Sequence, residues 1–155
     1  LTRNPLIAHQ RTIVNAFTEH EKYYFLGGSA GWANMRALIK ASIDDLHVYE
    51  EGSYTEPRVD VWGISDLSLF RETDKVLRNI PKEKPFFAIV QTAANHRPFT
   101  LPDDMGDFEP DRPDDEALYQ AGFKSAEQYN AVRFLDYNVG EFFEMAKAGV
   151  YGGLL

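Results

Sequence analysis

Three consecutive polar residues, Asn95, His96 and Arg97, form the stretch of this sequence that is best suited to chemistry. A neutral imidazole can accept or donate a proton near neutral pH, and a guanidinium can hold two oxygens of a phosphate or sulfate group. His96 is therefore the candidate catalytic residue, and all three residues are candidate ligands of an anionic ester. The alternative is a polar turn without a chemical role.

A second candidate is the glycine-rich stretch at residues 27–31, which is followed by apolar residues at helical spacing. A strand, a glycine-rich turn and a helix leave free backbone N–H groups that favour an anion. The spacing fits neither the dinucleotide-binding fingerprint nor the P-loop. The alternative is a tight turn that needs glycine for a positive φ. The candidate substrate-binding residues here are Gly28, Ser29, Trp32 and Arg36.

An apolar run from Phe86 to Val90 must position the Asn95–Arg97 stretch. It is too short for a helix and too continuous for a half-solvated strand, so it predicts a central strand covered on both faces. Polar residues follow it, and Pro98 prevents further strand pairing by removing a backbone donor. Open α/β sheets bind ligands at this carboxyl end of their strands.

The other predicted elements alternate between strand and helix. Short strands are expected at residues 22–26 and 45–49, and helices are expected from the Ser65 cap to residue 80 and from a capping box at Ser125. An earlier helix is expected to start at Asn4-Pro5. The predicted apolar face of the last helix comprises Tyr129, Val132, Leu135, Val139, Phe142 or Phe143, and Ala146. This order predicts a layered α/β sheet with flanking helices, in which residues 1–155 form one unit.

Two further side chains have competing interpretations. Trp62 either forms the wall of a substrate pocket or anchors a loop on a helix, and the second role is the more common one. Asp136 lies on or beside the apolar face of the last helix, where an ion pair with Arg133 is a better interpretation than a catalytic acid. No nucleophile with a base is recognisable, so the residues alone support an anion-binding α/β domain.

The composition excludes several classes of protein. Cysteine is absent from the 155 residues, which excludes disulfides and cysteine-bound metals. The net charge of −8 argues against nucleic acid or an anionic membrane surface as the main partner. Since no apolar run approaches the roughly 20 residues of a membrane span, these 155 residues are expected to be soluble. Eight acidic residues between Asp103 and Glu116 predict a solvated loop rather than a metal site, because EF-hand spacing is missing.

Four segments of the chain follow one another in a familiar order. They are residues 25–36 (Phe-Leu-Gly-Gly-Ser-Ala-Gly-Trp-Ala-Asn-Met-Arg), residues 62–66 (Trp-Gly-Ile-Ser-Asp), residues 86–100 with Asn95-His96-Arg97-Pro98-Phe99-Thr100, and residues 129–136 (Tyr-Asn-Ala-Val-Arg-Phe-Leu-Asp). In these segments the chain resembles the lipoteichoic acid synthase and phosphoglycerol transferase branch of the sulfatase/alkaline phosphatase superfamily. The match covers almost the whole chain, and the Asn-His-x-Pro-Phe stretch and the Tyr…Asp helix are fairly specific for this branch.

The resemblance implies an alkaline-phosphatase-like fold and a membrane-anchored enzyme whose catalytic domain lies outside the cytoplasm. Such enzymes use a Thr nucleophile and a divalent metal, typically manganese, to transfer or hydrolyse phosphoglycerol-type groups. The expected partner is an anionic phosphate or sulfate ester on a lipid or glycan headgroup. The resemblance places His96 at this headgroup, where it would hydrogen-bond phosphoryl oxygens or assist proton transfer.

The chain also departs from the branch. Relatives that hold glycerol phosphate with Asp, Trp and Arg align these residues with Gly28, Ala33 and Met35, and the nearby Trp32 and Arg36 are candidate substitutes. The resemblance places the nucleophile and the metal ligands outside residues 1–155, so no metal ligand is assigned and the fragment alone is expected to be inactive. The rival functions are a true sulfatase and a non-catalytic anion-binding domain of the same fold.

Overall fold

The structure is a computed structural model that describes residues 10–149 and 151. Within these residues the chain alternates between strands and helices, which confirms the predicted α/β class with flanking helices. The elements are β1 (Glu21–Leu26), α1 (Met35–Ser42), β2 (Leu46–Tyr49), α2 (Asp66–Asn79), β3 (Phe86–Gln91), α3 (Asp115–Gln120) and α4 (Ala126–Ala148). The helix start expected at Asn4-Pro5 lies outside the described residues, and Ile13–Ala16 forms one 3-10 turn.

The three strands form a parallel sheet in the order β2-β1-β3. The prediction that Phe86–Val90 is a central strand is therefore wrong for the described sheet, in which β1 is the middle strand. The expectation that both faces are covered is met in part: Phe86 packs against one core cluster and Phe87 against the other, but residues 86–90 are only partly buried. A continuous apolar run indicates that both faces of a strand pack against other elements. It does not indicate whether the strand has neighbours on one side or on both sides.

Alternate residues of β1 supply both cores. On one face Phe25 packs with Leu69 and Leu77 of α2, and this cluster extends to the end of α4. On the other face Tyr24 packs with Ile43, which directly follows α1. The sheet is thus a layer between helices, and its carboxyl edge remains available to the loops that follow β1 and β3.

The predicted caps of the two long helices are confirmed. The Ser65 Oγ accepts a hydrogen bond from the Ser68 N–H at 3.0 Å, and the Ser125 Oγ accepts one from the Gln128 N–H at 3.2 Å. These side chains satisfy N–H groups that have no partner inside the helix. None of the helices in the described ranges is long and apolar enough to cross a membrane.

The buried face of α4 agrees only in part with the predicted one. Ala146 is buried and Phe142 packs on Phe70 of α2 with ring centres 5.0 Å apart, whereas Val132 and Val139 are 40% and 36% exposed. The helix is also apolar on the side of Phe134, so periodicity alone could not decide which residues are buried most deeply. The buried residues of α4 are Asn130, Ala131, Phe134, Asn138 and Ala146.

The predicted ion pair between Arg133 and Asp136 is wrong. The Arg133 guanidinium lies 5.2 Å from the ring centre of Phe108 and 5.4 Å from that of Tyr129, and it donates to the Glu109 carbonyl. Asp136 is exposed on the helix surface. A guanidinium is attracted to aromatic faces, and here Arg133 bridges the acidic segment and the preceding turn of its own helix, where it also donates to Asn130 Oδ1 at 3.1 Å.

The acidic segment is more ordered than the predicted solvated loop. Its Asp114 caps the short helix α3 by accepting a hydrogen bond from the Ala117 N–H at 2.8 Å. Phe108 is buried, with its ring centre 5.2 Å from that of Phe134. Asp104 pairs with Arg71 at 2.6 Å. One aromatic anchor therefore attaches a highly charged segment to α4.

Candidate functional site

The candidate residues meet at the carboxyl edge of the sheet. Gly27 and Gly28 directly follow β1, and the loop that contains His96 follows the parallel neighbour β3. A third segment passes between them, because the Ile64 N–H donates to the Gly27 carbonyl at 3.1 Å and Trp62 reaches the His96 loop. The predicted glycine-rich and histidine stretches therefore share one edge, as expected for parallel strands.

The His96 side chain is exposed, and its ring is held by two neighbours. Its ring centre lies 4.1 Å from that of Trp62, and its Nδ1 lies 3.0 Å from the Arg97 carbonyl oxygen. A carbonyl only accepts hydrogen bonds, so Nδ1 carries the proton in the neutral ring and Nε2 keeps its lone pair. The Trp62 indole N–H donates to the same carbonyl at 2.6 Å. Trp62 is thus a loop anchor and also a wall beside His96.

Asp66 fixes the start of the His96 loop. Its two carboxylate oxygens accept hydrogen bonds from the Ala93 and Ala94 N–H groups, both at 2.9 Å. Burial raises the pKa of the Asp66 carboxyl, although the two N–H bonds oppose that shift. The sequence placed Asp66 in the helix cap and in the resembling segment at residues 62–66, without a role of its own. An acid in a first helical turn is common, and no local pattern shows that it reaches a loop 27 residues away.

The glycine-rich turn holds an anion, and this anion is the carboxylate of Glu50. The Ala30 N–H donates to Glu50 Oε2 at 2.7 Å, and Arg36 Nη2 donates to the same oxygen at 2.6 Å. The Arg36 Nε–H donates to Oε1. A substrate-binding role of Arg36 remains a prediction, because the guanidinium already has this partner. Glu50 directly follows β2, so its position in the sequence already placed a carboxylate at the same sheet edge as the glycine-rich turn. This signal was missed in the prediction of the site from the sequence.

The glycine at position 28 is explained by close packing rather than by positive φ. A Cβ added to Gly28 would lie 2.3 Å from the Trp62 carbonyl oxygen. The positive φ angles of this region lie further on, at Ala33 and Asn34 (50° and 59°), and they delay the start of α1 to Met35. The expectation of a glycine-dependent φ was therefore wrong, whereas contact between Gly28 and a substrate remains a prediction.

An aromatic cleft of about 220 Å³ lies between the glycine-rich turn and the Trp62 segment. Trp32 is 68% exposed, and its ring meets that of Trp62 edge to face at 6.3 Å. Of the candidate residues, Gly28, Ser29 and Trp32 contribute to this cleft. The other lining residues are Leu26, Met35, Glu51, Arg58, Val61, Trp62 and Gln91. Trp62 is thus shared by the cleft and by His96.

Asn95 and Arg97 are exposed beside His96. Arg97 lines a second, more open cleft together with Lys124 and the first turn of α4. Within residues 10–149 and 151, neither the Asn95 amide nor the Arg97 guanidinium has a hydrogen-bond partner. Both groups are available to an anion, and their role as ligands remains a prediction.

The described residues do not fit a metal centre. Among residues 10–149 and 151, no group of three His, Asp or Glu side chains is close enough to hold a cation. Asp66, the buried acid nearest to the His96 loop, uses both of its oxygens for backbone N–H groups. The groups that the described residues themselves supply at this edge are the His96 imidazole, the Arg97 guanidinium and backbone N–H groups.

We expect Glu50→Gln to destabilise the protein by about 1 kcal/mol at pH 7, because the amide has no charge to pair with Arg36 and its NH₂ group cannot accept the hydrogen bonds that one carboxylate oxygen accepts. Arg36 lowers the pKa of Glu50 below its ordinary value of 4.5. A lowered folded-state pKa means that this stability is present above pH 4.5 and is lost as the pH falls through the folded value. Urea unfolding at pH 7 and pH 3 measures the difference between wild type and variant.

The difference between the two proteins should shrink at the lower pH. Glu72→Gln is a matched control, since Glu72 pairs only with Lys75, which is largely exposed, at 3.4 Å. An equal effect of both substitutions at pH 7 would show that Glu50 does not hold the glycine-rich turn.

A family profile and two solved structures give consistent results. The sulfatase family profile matches residues 2–152. The solved structure of an alkaline phosphatase superfamily protein from Vibrio parahaemolyticus is 28% identical, with a TM-score of 0.75 over 96% of this chain and 35% of that protein. The lipoteichoic acid synthase LtaP from Listeria monocytogenes is 22% identical, with a TM-score of 0.68 over 87% of this chain and 32% of LtaP, and it shares the fold. The chain spans about a third of the length of each protein.

Proposed function

The chain belongs to the sulfatase family, and we propose that its natural protein is a metal-dependent enzyme that transfers or hydrolyses phosphoglycerol-type phosphate esters outside the cytoplasm. One observation carries the proposal. His96 stands at the carboxyl edge of the sheet with Nδ1 bound to the Arg97 carbonyl, and its Nε2 has no hydrogen-bond partner among residues 10–149 and 151. The resemblance of four sequence segments to the phosphoglycerol transferase branch supports phosphate over other esters.

In the proposed reaction His96 acts through Nε2 in one of two ways. The protonated ring donates a hydrogen bond to a phosphoryl oxygen whose charge increases in the transition state, or the neutral ring accepts the proton that the attacking hydroxyl group loses as its oxygen bonds to phosphorus and the ester oxygen leaves. Trp62 packing and the Arg97 carbonyl limit rotation of the imidazole, so less orientational freedom is lost when the substrate binds. The Arg97 guanidinium can hold two non-bridging oxygens of the same ester.

The proposal includes a divalent cation, for which the resemblance indicates manganese. Since the described residues contain no ligand set for it, we propose that other residues of the natural protein hold the metal and supply the nucleophile. No step at His96 or Arg97 is derived from the cation. Membrane anchoring belongs to the proposal for the natural protein in the same way.

A true sulfatase is the second candidate, because an imidazole next to a free guanidinium suits a sulfate ester equally well. A panel of esters separates the two functions in the full-length natural protein with manganese. We expect bis(4-nitrophenyl) phosphate to be hydrolysed at least about tenfold faster than 4-nitrophenyl sulfate, a difference of about 1.4 kcal/mol in the activation free energy. The measurement is the initial rate of nitrophenolate release.

The chelator-treated protein is the control for this panel, and it should be inactive on every ester. Faster release from the sulfate would favour the sulfatase. If protein with bound manganese released nitrophenolate from neither ester, the non-catalytic domain would be favoured. This alternative is considered because the chain lacks the Asp, Trp and Arg with which relatives hold glycerol phosphate. Gly28, Ala33 and Met35 stand at those positions.

A further inference from the structure

We propose that the cleft between Trp32 and Trp62 binds an uncharged sugar ring, which is the glycan part of the ester that His96 meets. The inference rests on the proposed function, and it names the class of group that carries the ester. It concerns the cleft of about 220 Å³ described above, whose wall Trp62 is also in contact with His96. A ring in the cleft would therefore lie next to the reacting end of the substrate.

The exposed indole of Trp32 is the first observation in favour of a ring. Its side chain is the largest of the strongly exposed apolar residues in the described chain, at 68% exposure. When the apolar C–H face of a sugar ring stacks on the indole, both surfaces are removed from water. This burial contributes about 25 cal/mol per Å² of apolar surface to the free energy of binding. Trp62 meets Trp32 edge to face, so a ring that stacks on Trp32 gains a second aromatic wall.

The charges of the cleft favour an uncharged group. The Arg58 guanidinium donates to the Glu51 carboxylate and to the carbonyl oxygens of Asp60 and Val61, the latter two at 3.2–3.3 Å. Both charged side chains of the cleft are thus partnered with each other. An anion would compete with Glu51 for Arg58, whereas the Arg97 guanidinium outside the cleft is free for the anionic end of the ester.

The polar atoms of the cleft favour hydroxyl groups over an alkyl chain. The Tyr24 hydroxyl donates to Gln91 Oε1, so the Gln91 amide turns its NH₂ group away from Tyr24. The Ser29 Oγ accepts from the Gly31 N–H at 3.2 Å, and its own proton remains available. Covering these groups with an alkyl chain would cost about 1–3 kcal/mol for each lost partner. Sugar hydroxyl groups would instead form hydrogen bonds with the Gln91 amide and the Ser29 hydroxyl in place of water.

The size of the cleft sets the number of rings. A volume of about 220 Å³ is below the roughly 300–1,000 Å³ typical of pockets for drug-sized ligands. One ring fits this volume better than a long chain or a polymer segment. The rest of a longer glycan would extend into solvent.

Ligand-observed saturation-transfer NMR on the full-length natural protein tests the inference. The probes are methyl α-D-glucopyranoside as an uncharged sugar, 1-hexanol as an alkyl chain and glycerol 1-phosphate as an anion. We expect the glucoside to bind, Trp32→Ala to weaken this binding at least about tenfold, and Trp32→Phe to keep most of it. Lys124→Ala, in the neighbouring open cleft, should leave glucoside binding unchanged.

Two outcomes would overturn the inference. The first is binding of hexanol or glycerol phosphate in a Trp32-dependent way without binding of the glucoside. The second is glucoside binding that Trp32→Ala leaves intact, because the sugar would then lie elsewhere. The readout needs no turnover. Ester hydrolysis without glucoside binding would therefore contradict this inference alone, and glucoside binding without hydrolysis of any ester would contradict the proposed function alone.

Discussion

Replacing His96 by Ala in the full-length natural protein is expected to lower kcat/KM for bis(4-nitrophenyl) phosphate by about a hundredfold or more, the scale of a positioned proton-transfer or charge-stabilising group. The methyl group of Ala has no lone pair to accept a proton and no N–H to donate to a phosphoryl oxygen. Trp62 remains bound to the Arg97 carbonyl through its own N–H, so the loop should keep its position. Initial rates with manganese over a range of substrate concentrations measure the loss.

His47→Ala is the matched control for this experiment. His47 is also exposed and also packs on an aromatic ring, that of Tyr23, but it pairs with Glu21 near the amino ends of the strands. Its removal should leave kcat/KM unchanged. Equal activity of wild type and His96→Ala would show that His96 is only a turn residue without a role in the reaction. If neither protein is active with bound metal, the substrate class or the enzymatic function itself is wrong.

The elements of this fold could be predicted where their signals are local. Ser65 and Ser125 cap the predicted helices because a cap depends on a side chain and an N–H group only three residues apart. The strand at Phe86–Gln91 was predicted from its apolar run. The choice between two apolar sides of α4, and the middle place of β1, depend on neighbours that are distant in the chain, so no local pattern contains them.

The candidate site shows the same division. His96 and Arg97 were found by residue type, and their place after an apolar strand was sufficient to locate them at the sheet edge. Asp66 and Glu50, which position the two loops, resemble an ordinary helix cap and an ordinary surface acid in the sequence. Their importance comes from bonds to Ala93, Ala94 and Ala30, which the fold brings close. Candidate ligand-binding groups are thus easier to predict than the groups that hold their loops in place.

Gly63 decides whether the site can form, because it allows the Trp62 segment to cross the end of β1. A Cβ at Gly63 would lie 2.0 Å from the Gly27 carbonyl oxygen and 2.5 Å from the Gly28 nitrogen, and its φ is +114°. The obstructing atoms are backbone, so no side-chain rotation can relieve the clash. We expect Gly63→Ala to lower the free energy of unfolding by about 3 kcal/mol or more, at the upper end of single substitutions. Urea unfolding of the natural protein followed by circular dichroism measures it.

Two other glycines separate the clash from the backbone strain. Gly52 has a φ of +92° but no atom within 4 Å of an added Cβ, so Gly52→Ala should cost only the strain of about 1–2 kcal/mol. Gly140 lies in open space within α4, and Gly140→Ala should stabilise the protein by about 1 kcal/mol. If Gly63→Ala lowers the free energy of unfolding no more than Gly52→Ala does, the contact between the Trp62 segment and the end of β1 is looser than the Gly27–Ile64 hydrogen bond indicates. Trp62 would then lack the fixed position that both the orientation of His96 and the sugar cleft require.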